Sequence, residues 1–147
     1  MSSYKISFDW QKTTEDFSYE KFNRNHDISF SGNQSLKTSA SADYFGNSEM
    51  SNPEELLAAS LASCHMLTLL AVASKSGYDV LNYKCDAEAI LAKNAEGRMS
   101  VTEINLKALI QFSEAKIPTS EQLASLHDKA HKNCFIAQSL KTKVNVL

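Results

Sequence analysis

A long apolar stretch, "NPEELLAASLASCHMLTLLAVASKSG" (residues 52–77), limits what this chain can fold into more than any other feature. Asn52 and Pro53 predict an N-cap and a first helical position, and Gly77 predicts the end of the helix. Leucine, methionine and valine side chains cover most of the helix circumference, with alanine and serine between them. A helix that is apolar on every side must be buried on every side, so the sequence predicts a central helix.

A chain of 147 residues fits one compact domain, which we expect to span residues 1–147. Such a domain can cover one side of the central helix with a sheet. The other side would leave an apolar patch too large for a typical soluble monomer. The sequence therefore predicts a homodimer in which the central helices of two chains meet, with twofold symmetry.

The rest of the chain predicts an α+β fold. Alternation of polar and apolar residues predicts short strands over 4–10 and 27–30, the second followed by a turn at Ser31-Gly32-Asn33. Two long extended runs, 80–92 and 99–112, flank "KNAEGR" and predict a hairpin. "IPTSEQLASLHDKAHKNC" predicts a second helix capped by Thr119 or Ser120, and "SLKTKVNV" predicts a final strand.

Charge and composition narrow the class of protein. The formal charge is -2 and no basic run occurs, which disfavours nucleic acid and anionic membranes as partners. The N-terminus lacks the pattern of a secretory signal, and we expect no apolar run to approach the ~20 residues of a membrane span. Three cysteines without a C-x-x-C pair predict reduced thiols. These features predict a cytoplasmic protein.

Three segments carry a family resemblance: "NPEELLAASLASCHM", "HKNCFIAQSLKTKVNV" and "RNHDISF". Together they resemble the OsmC/Ohr family of osmotically induced and organic hydroperoxide resistance proteins, over nearly the whole chain. The resemblance implies an intertwined homodimer with long central buried helices wrapped by antiparallel sheets. It also implies a stress-response peroxidase that reduces organic hydroperoxides with two cysteines, needs no metal or organic cofactor, and is recycled by a dithiol such as a lipoylated protein.

The resemblance assigns roles to four residues. Cys64 matches the reactive cysteine and Cys134 the resolving one, which would turn a sulfenic acid on Cys64 into a reducible disulfide. Arg24 matches the arginine that would stabilise the Cys64 thiolate and orient the peroxide, and Glu54 the carboxylate that would hold its guanidinium. The apolar neighbours Leu57, Leu61 and Phe135 would favour organic or fatty-acid hydroperoxides over hydrogen peroxide. Phe135 stands where the organic hydroperoxide branch of the family usually has proline.

Helix geometry separates Glu54 from Cys64. Ten residues at 1.5 Å per residue place them about 15 Å apart along one helix. Since paired antiparallel helices bring the start of one near the middle of the other, we expect a composite site. Glu54 and Arg24 of one chain would serve Cys64 of its partner.

Alternative interpretations of the same residues remain open. His127, His131 and Cys134 recur at i, i+4 and i+7 and could bind zinc together with Cys64. A non-enzymatic protein that binds hydrophobic ligands under stress would also use an apolar groove. Cys85 matches no family position and is expected to fill a buried site. His65 points about 100° away from Cys64 around the helix, which favours a packing or surface role over that of a base.

Overall fold

The computed structural model describes residues 1–147 and mixes helices with two three-stranded sheets, which confirms the predicted α+β class. The strands are β1 (Ile6–Asp9), β2 (His26–Phe30), β3 (Gln34–Thr38), β4 (Val80–Lys93), β5 (Met99–Phe112) and β6 (Lys143–Val146). The helices are α1 (Pro53–Lys75), α2 (Ser120–Asn133) and α3 (Phe135–Gln138), and a 3-10 turn covers Ala42–Tyr44. The chain forms two compact units, residues 1–56 and 57–147, and each is described by itself. The single domain stays a prediction.

The unit of residues 1–56 contains an antiparallel sheet in the order β1, β2, β3. The predicted turn after β2 is confirmed: Gly32 has φ 78° and Asn33 has φ 58°. Glycine and asparagine are the residues that adopt this left-handed conformation most readily, so the residue types at positions 32 and 33 account for the turn. Ser51 closes the unit through a parallel bridge to Thr38.

The unit of residues 57–147 is built on the long hairpin of β4 and β5, whose predicted arms are confirmed to within one residue. Asn94 holds the turn, because its side-chain oxygen accepts the backbone N–H groups of Glu96 and Arg98. The final strand, β6, pairs in parallel with β5, with Val144 opposite Ile104 and Val146 opposite Leu106. Ile104 and Leu106 are fully buried and form the floor of this unit's core.

Helix α1 begins and ends where the sequence predicts. The Asn52 side chain accepts the N–H of Glu55 at 2.9 Å, and the Glu55 carboxylate accepts the N–H of Asn52 at 3.1 Å, so both donors are satisfied reciprocally. At the other end Gly77 has φ 73°, and the N–H of Tyr78 donates to the carbonyl of Ala73.

One chain buries a single stripe of α1. Its buried residues recur every three or four positions, on one helical face: Ala58, Leu61, His65, Leu69 and Ala73. Elsewhere the apolar surface is only partly covered, and Leu67 is 60% exposed. Burial on every side is therefore not achieved within one chain, and the homodimer that would complete it stays a prediction.

One expectation about α1 is wrong. By length and composition this 23-residue helix is apolar enough to cross a membrane, so an apolar segment does reach the length of a span. Few of its residues are charged because only its ends carry acids and a lysine. Core helices of soluble proteins have the same properties, so this finding is weak evidence for a membrane span.

Helix α2 starts at a capping box formed by Thr119 and Gln122, as one of the two predicted caps requires. The predicted helix over 117–134 also ends within one residue of the end of α2, but the short helix after it was not predicted. The backbone of Cys134 is extended, with φ -75° and ψ 112°, so α2 stops there and the short helix α3 begins. This break places the Cys134 side chain in the core, against Leu61 and Leu106.

Candidate functional site: a thiol pair at the start of α3

Cys64 lies in the middle of α1, half-buried, and packs against the core cluster of the second unit. One turn further along the helix, the hydroxyl of Thr68 donates to the Cys64 carbonyl oxygen at 2.8 Å and also lies beside the Cys64 sulfur. Because the helix backbone is rigid here, the position of the thiol is fixed by α1 rather than by a loop.

Cys134 occupies the junction between α2 and α3 and is fully buried. Its sulfur accepts the N–H of Ala137 at 3.4 Å, in the way a serine hydroxyl would cap a helix. A cysteine at this position satisfies an otherwise unpaired amide and turns its thiol toward the neighbouring elements of the core.

The two thiols meet. Burial by itself raises the pKa of Cys64, but hydrogen bonds from the Cys134 thiol and from the N–H of Ile136 lower it, helped by Thr68 and the N–H of Phe135. The net result is a pKa for Cys64 below its ordinary value. Amides at a helix start and a thiol donor stabilise a thiolate, which is the nucleophilic form of cysteine.

The pKa of Cys134 is shifted the other way. Burial raises it first, and its hydrogen bond to Cys64 raises it further. Of the two thiols, Cys64 is therefore the one that ionises first, with Cys134 as its hydrogen-bond donor. This asymmetry gives the half-buried sulfur the character of a nucleophile and the buried sulfur the character of its partner.

Cys85 differs from both. It is half-buried on β4, packs against the same core cluster, and its thiol donates to the Asp86 carbonyl at 3.5 Å. Burial and the nearby Asp86 charge raise its pKa. Its setting is that of a packing residue with a poorly ionised thiol.

Arg24 belongs to the other unit, where its guanidinium is held by backbone and aromatic groups. It donates to the carbonyl oxygen of Phe22 at 2.9 Å and to that of Tyr19. Its central carbon lies 3.8 Å from the centre of the Phe22 ring and 5.6 Å from that of Phe45. The same arginine lines an apolar pocket of about 330 Å³, with Phe8 and Trp10 among its walls.

Glu54 stands in the first turn of α1 and forms no salt bridge or side-chain hydrogen bond within the chain. The carboxylate predicted to hold Arg24 is therefore not paired with it in one chain, and carbonyl oxygens take that place. The neighbouring Glu55 serves the helix cap instead. The roles predicted for Arg24 and Glu54 in the reaction stay predictions.

The zinc hypothesis is not supported by the geometry. No three side chains of histidine, cysteine, aspartate or glutamate converge as a metal-ligand group. The Cys134 thiol donates a hydrogen bond to the Cys64 sulfur, and the Nδ1 of His127 lies 3.0 Å from the Nε2 of His65. The spacing of His127, His131 and Cys134 was compatible with a metal, but Cys134 pairs with Cys64 and His127 pairs with His65.

Two features escaped the sequence-based reasoning. The backbone N–H groups of α3 lower the pKa of Cys64, a role that the sequence analysis gave to Arg24. The sequence would have indicated these groups only if Cys134 had been recognised as the N-cap of a short helix. His65 is fully buried, which fits the packing role of the two predicted roles, but its contact with His127 was not predicted. Its position four residues after Leu61 and four before Leu69 was the available signal, because that spacing defines one helical face.

The apolar walls expected around Cys64 are only partly as predicted. Leu57 and Leu61 lie in or against the core cluster next to Cys64. Phe135 is 84% exposed, because the first residue of α3 points its side chain outward while its N–H serves the thiol.

Known proteins are similar to this chain in sequence and in fold. Residues 46–147 match the family described as OsmC-like protein. An OsmC-like protein of unknown function from Vibrio cholerae is 36% identical, with 100% of this chain and 99% of that chain covered and a TM-score of 0.93. No curated protein sequence matches.

Two organic hydroperoxide resistance proteins share the fold at lower identity. The one from Legionella pneumophila is 19% identical, covers 99% of this chain and 96% of its own, and has a TM-score of 0.70. OhrB of Bacillus subtilis is 18% identical, with 99% and 95% covered and a TM-score of 0.68. At these identities the likeness shows the fold alone. The match over residues 46–147, together with the relative from Vibrio cholerae, shows that this chain belongs to the OsmC-like protein family.

Proposed function

We propose that this protein is a cysteine-based peroxidase that reduces organic hydroperoxides in the cytoplasm. The observation that carries the proposal is the thiol pair: Cys64 has a lowered pKa and accepts hydrogen bonds from Cys134 and from the first amides of α3. Fold relatives that are organic hydroperoxide resistance proteins support the substrate class.

The reaction proceeds in two steps on the two sulfurs. The Cys64 thiolate attacks the distal oxygen of ROOH, the O–O bond breaks, and the leaving alkoxide takes a proton to become ROH. Sulfur is thereby oxidised to sulfenic acid and the peroxide is reduced. The Cys134 thiol then attacks the sulfenic sulfur, which forms a disulfide and releases water. An external dithiol reopens the disulfide by exchange and leaves both thiols reduced.

Burial suits each cysteine to its step. Cys64 is half-buried and can be reached by a peroxide, whereas Cys134 is fully buried and can be reached only from Cys64. A buried thiol with a raised pKa does not compete for the peroxide. It reacts once the neighbouring sulfur has become electrophilic, and so protects that sulfur from irreversible oxidation.

A homodimer would complete the site. Large apolar side chains are exposed in both units: Tyr4, Phe8, Phe17, Tyr19, Phe45, Leu67, Leu81 and Leu109. Exposed apolar surface of this extent is typical of an interaction face. We infer that Arg24 and Glu54 of one chain approach Cys64 of the other, where the guanidinium orients the peroxide and the apolar pocket beside Arg24 accepts its hydrocarbon part.

Mass spectrometry before and after one equivalent of cumene hydroperoxide tests the proposal. We expect a disulfide between Cys64 and Cys134, with Cys85 still reduced, and consumption of the peroxide in proportion. Cys85→Ser is the matched control and should give the same bridge. A bridge that includes Cys85 would overturn the assignment, and binding of the peroxide without its consumption would favour a ligand-binding protein.

A further inference from the structure

A buried histidine on α1 and a half-buried histidine on α2 connect the two helices. His65, on the buried stripe of α1, is 0% exposed. Its Nε2 lies 3.0 Å from the Nδ1 of His127 on α2, and the two ring planes are nearly parallel, at 7°. Leu61 and Leu69, the neighbours of His65 on the stripe, are also fully buried, so a polar contact between two titratable groups stands among apolar side chains.

The hydrogen bond requires a particular distribution of protons. The other ring nitrogen of His65, Nδ1, is buried and has no partner. If His65 Nε2 donates, Nδ1 is left with a bare lone pair; if Nε2 accepts, a buried N–H is left unpaired. An unpaired buried donor is the rarer situation in proteins. We therefore assign the proton to His65 Nε2 and the accepting lone pair to Nδ1 of His127.

The surroundings oppose positive charge at this bond. Burial lowers the pKa of His65 to about 4, and the imidazoles of His127 and His131 lower it as well. Burial also lowers the pKa of His127. Neither histidine forms a salt bridge with a carboxylate, and Asp128, the next residue after His127, is exposed and pairs with Lys132 at 2.7 Å. The charged form of either ring thus lacks a counter-charge.

The bond is placed where it can control the thiols. His65 follows Cys64 in α1, and seven residues, about two turns, separate His127 from Cys134 on α2. We propose that the His65–His127 hydrogen bond is an acid-sensitive clasp that holds the end of α2 and the start of α3 against α1, so that Cys134 and the α3 amides meet Cys64.

Acid opens the clasp for two reasons. A proton on His127 Nδ1 occupies the lone pair that accepts the bond, and a proton on His65 places an uncompensated charge in the core. Since the folded pKa of His65 is below the unfolded value of about 6.5, its contribution to stability is complete above pH 6.5. That contribution is lost as the pH falls toward the folded value of about 4.

Hydrogen exchange of peptides covering residues 120–138 tests the clasp at pH 7.5 and pH 5.0, after correction for the intrinsic rate at each pH. The hairpin peptides, residues 80–112, serve as the internal reference. In the wild type we expect protection of 120–138, relative to the hairpin, to fall about tenfold at pH 5.0, the effect of losing one buried hydrogen bond.

Three variants separate the clasp from general acid sensitivity. His127→Asn keeps an acceptor at the place of Nδ1 and cannot titrate there, so its protection should match the wild type at pH 7.5. At pH 5.0 it should lose less protection than the wild type, because only His65 still takes up a proton. His127→Leu should be deprotected about tenfold at both values. His131→Asn removes a nearby imidazole that makes no hydrogen bond to His65, and should keep the wild-type acid response.

Two results would overturn the clasp. One is an acid response of His127→Asn equal to that of the wild type. The other is a His127→Leu protein as protected as the wild type at pH 7.5. If His127→Leu fails to fold, His127→Asn alone decides. A second readout is the thiolate absorbance of Cys64, whose titration should move toward the ordinary cysteine value in His127→Leu but stay in place in His127→Asn.

Only the consequence of the clasp for peroxide reduction rests on the proposed function. Exchange and thiolate titration require no substrate. If the protein reduces no hydroperoxide but shows the exchange pattern, the clasp is supported and the proposed peroxidase activity is wrong. If the protein is a peroxidase but lacks the exchange pattern, the proposed function is supported and the clasp is wrong.

Discussion

In the Arg24 pocket and in the thiol pair, backbone groups stabilise opposite charges: the Arg24 cation and the Cys64 thiolate. In residues 1–56 the permanent cation of Arg24 is surrounded by carbonyl oxygens and aromatic faces. In residues 57–147 the anion that Cys64 can form is met by amide N–H groups and a thiol. Each charge is satisfied within its own unit. The groups that lower the pKa of Cys64 do not include Arg24, so in the proposed reaction we expect the arginine to act on the peroxide.

The largest expected effect comes from breaking the thiol pair. Cys64→Ser should abolish peroxide reduction, because a serine hydroxyl does not ionise at neutral pH. Cys134→Ser should permit one turnover and then accumulate sulfenic or sulfinic acid on Cys64, since the resolving thiol is gone. Stopped-flow peroxide consumption and intact-mass measurements check both. Full activity of Cys64→Ser would rule out the nucleophile.

Removal of the pocket's cation should have the next largest effect. Arg24→Ala should slow peroxide reduction about tenfold or more at neutral pH, because a bidentate, charge-assisted contact to the peroxide is lost. Since amides already lower the pKa of Cys64, we expect most of the loss to persist at pH 8.5. The pH profile of the reduction rate measures this. Complete recovery at high pH would mean that Arg24 acts on the thiolate itself.

A mixture of inactive chains tests whether the two regions meet across a dimer. Glu54→Ala and Cys64→Ser, mixed equally under conditions of subunit exchange, should form about half heterodimers, each with one intact site of two. Roughly a quarter of the wild-type activity should then return. No recovery, with exchange verified by mass labelling, would place Glu54 and Cys64 of the same chain in one site.

The smallest expected effect is a ranking among thiols. A lowered pKa for Cys64 and raised values for Cys85 and Cys134 predict that a neutral alkylating agent modifies Cys64 first, several-fold faster at pH 7. The gap should narrow as the pH rises and the other two thiols ionise. Peptide mapping after timed iodoacetamide treatment measures the order. Faster modification of Cys85 at pH 7 would contradict the pKa assignment.

Sequence-based reasoning predicted local structure best where turn and cap residues are unambiguous. Asn52, Gly77 and Thr119 mark helix ends by chemistry that acts over three or four residues, and the hairpin arms follow from uninterrupted extended runs. The end of α2 was predicted to within one residue, but the short helix α3 that follows Cys134 was not. The extended backbone there is imposed by packing in the core, which a local pattern does not contain.

The candidate site also combines features that the local sequence determines with features that depend on packing. The sequence by itself determined a long apolar helix that carries Cys64, and a second cysteine at the end of a predicted helix near the C-terminus; a family resemblance paired them. Only the tertiary structure decided what polarises the sulfur and where His65 lies, since amides of α3 and His127 reach α1 from more than 60 residues away. Caps and turns are encoded by neighbours in the chain. Hydrogen bonds between α1, α2 and α3 exist only once burial has fixed which faces meet.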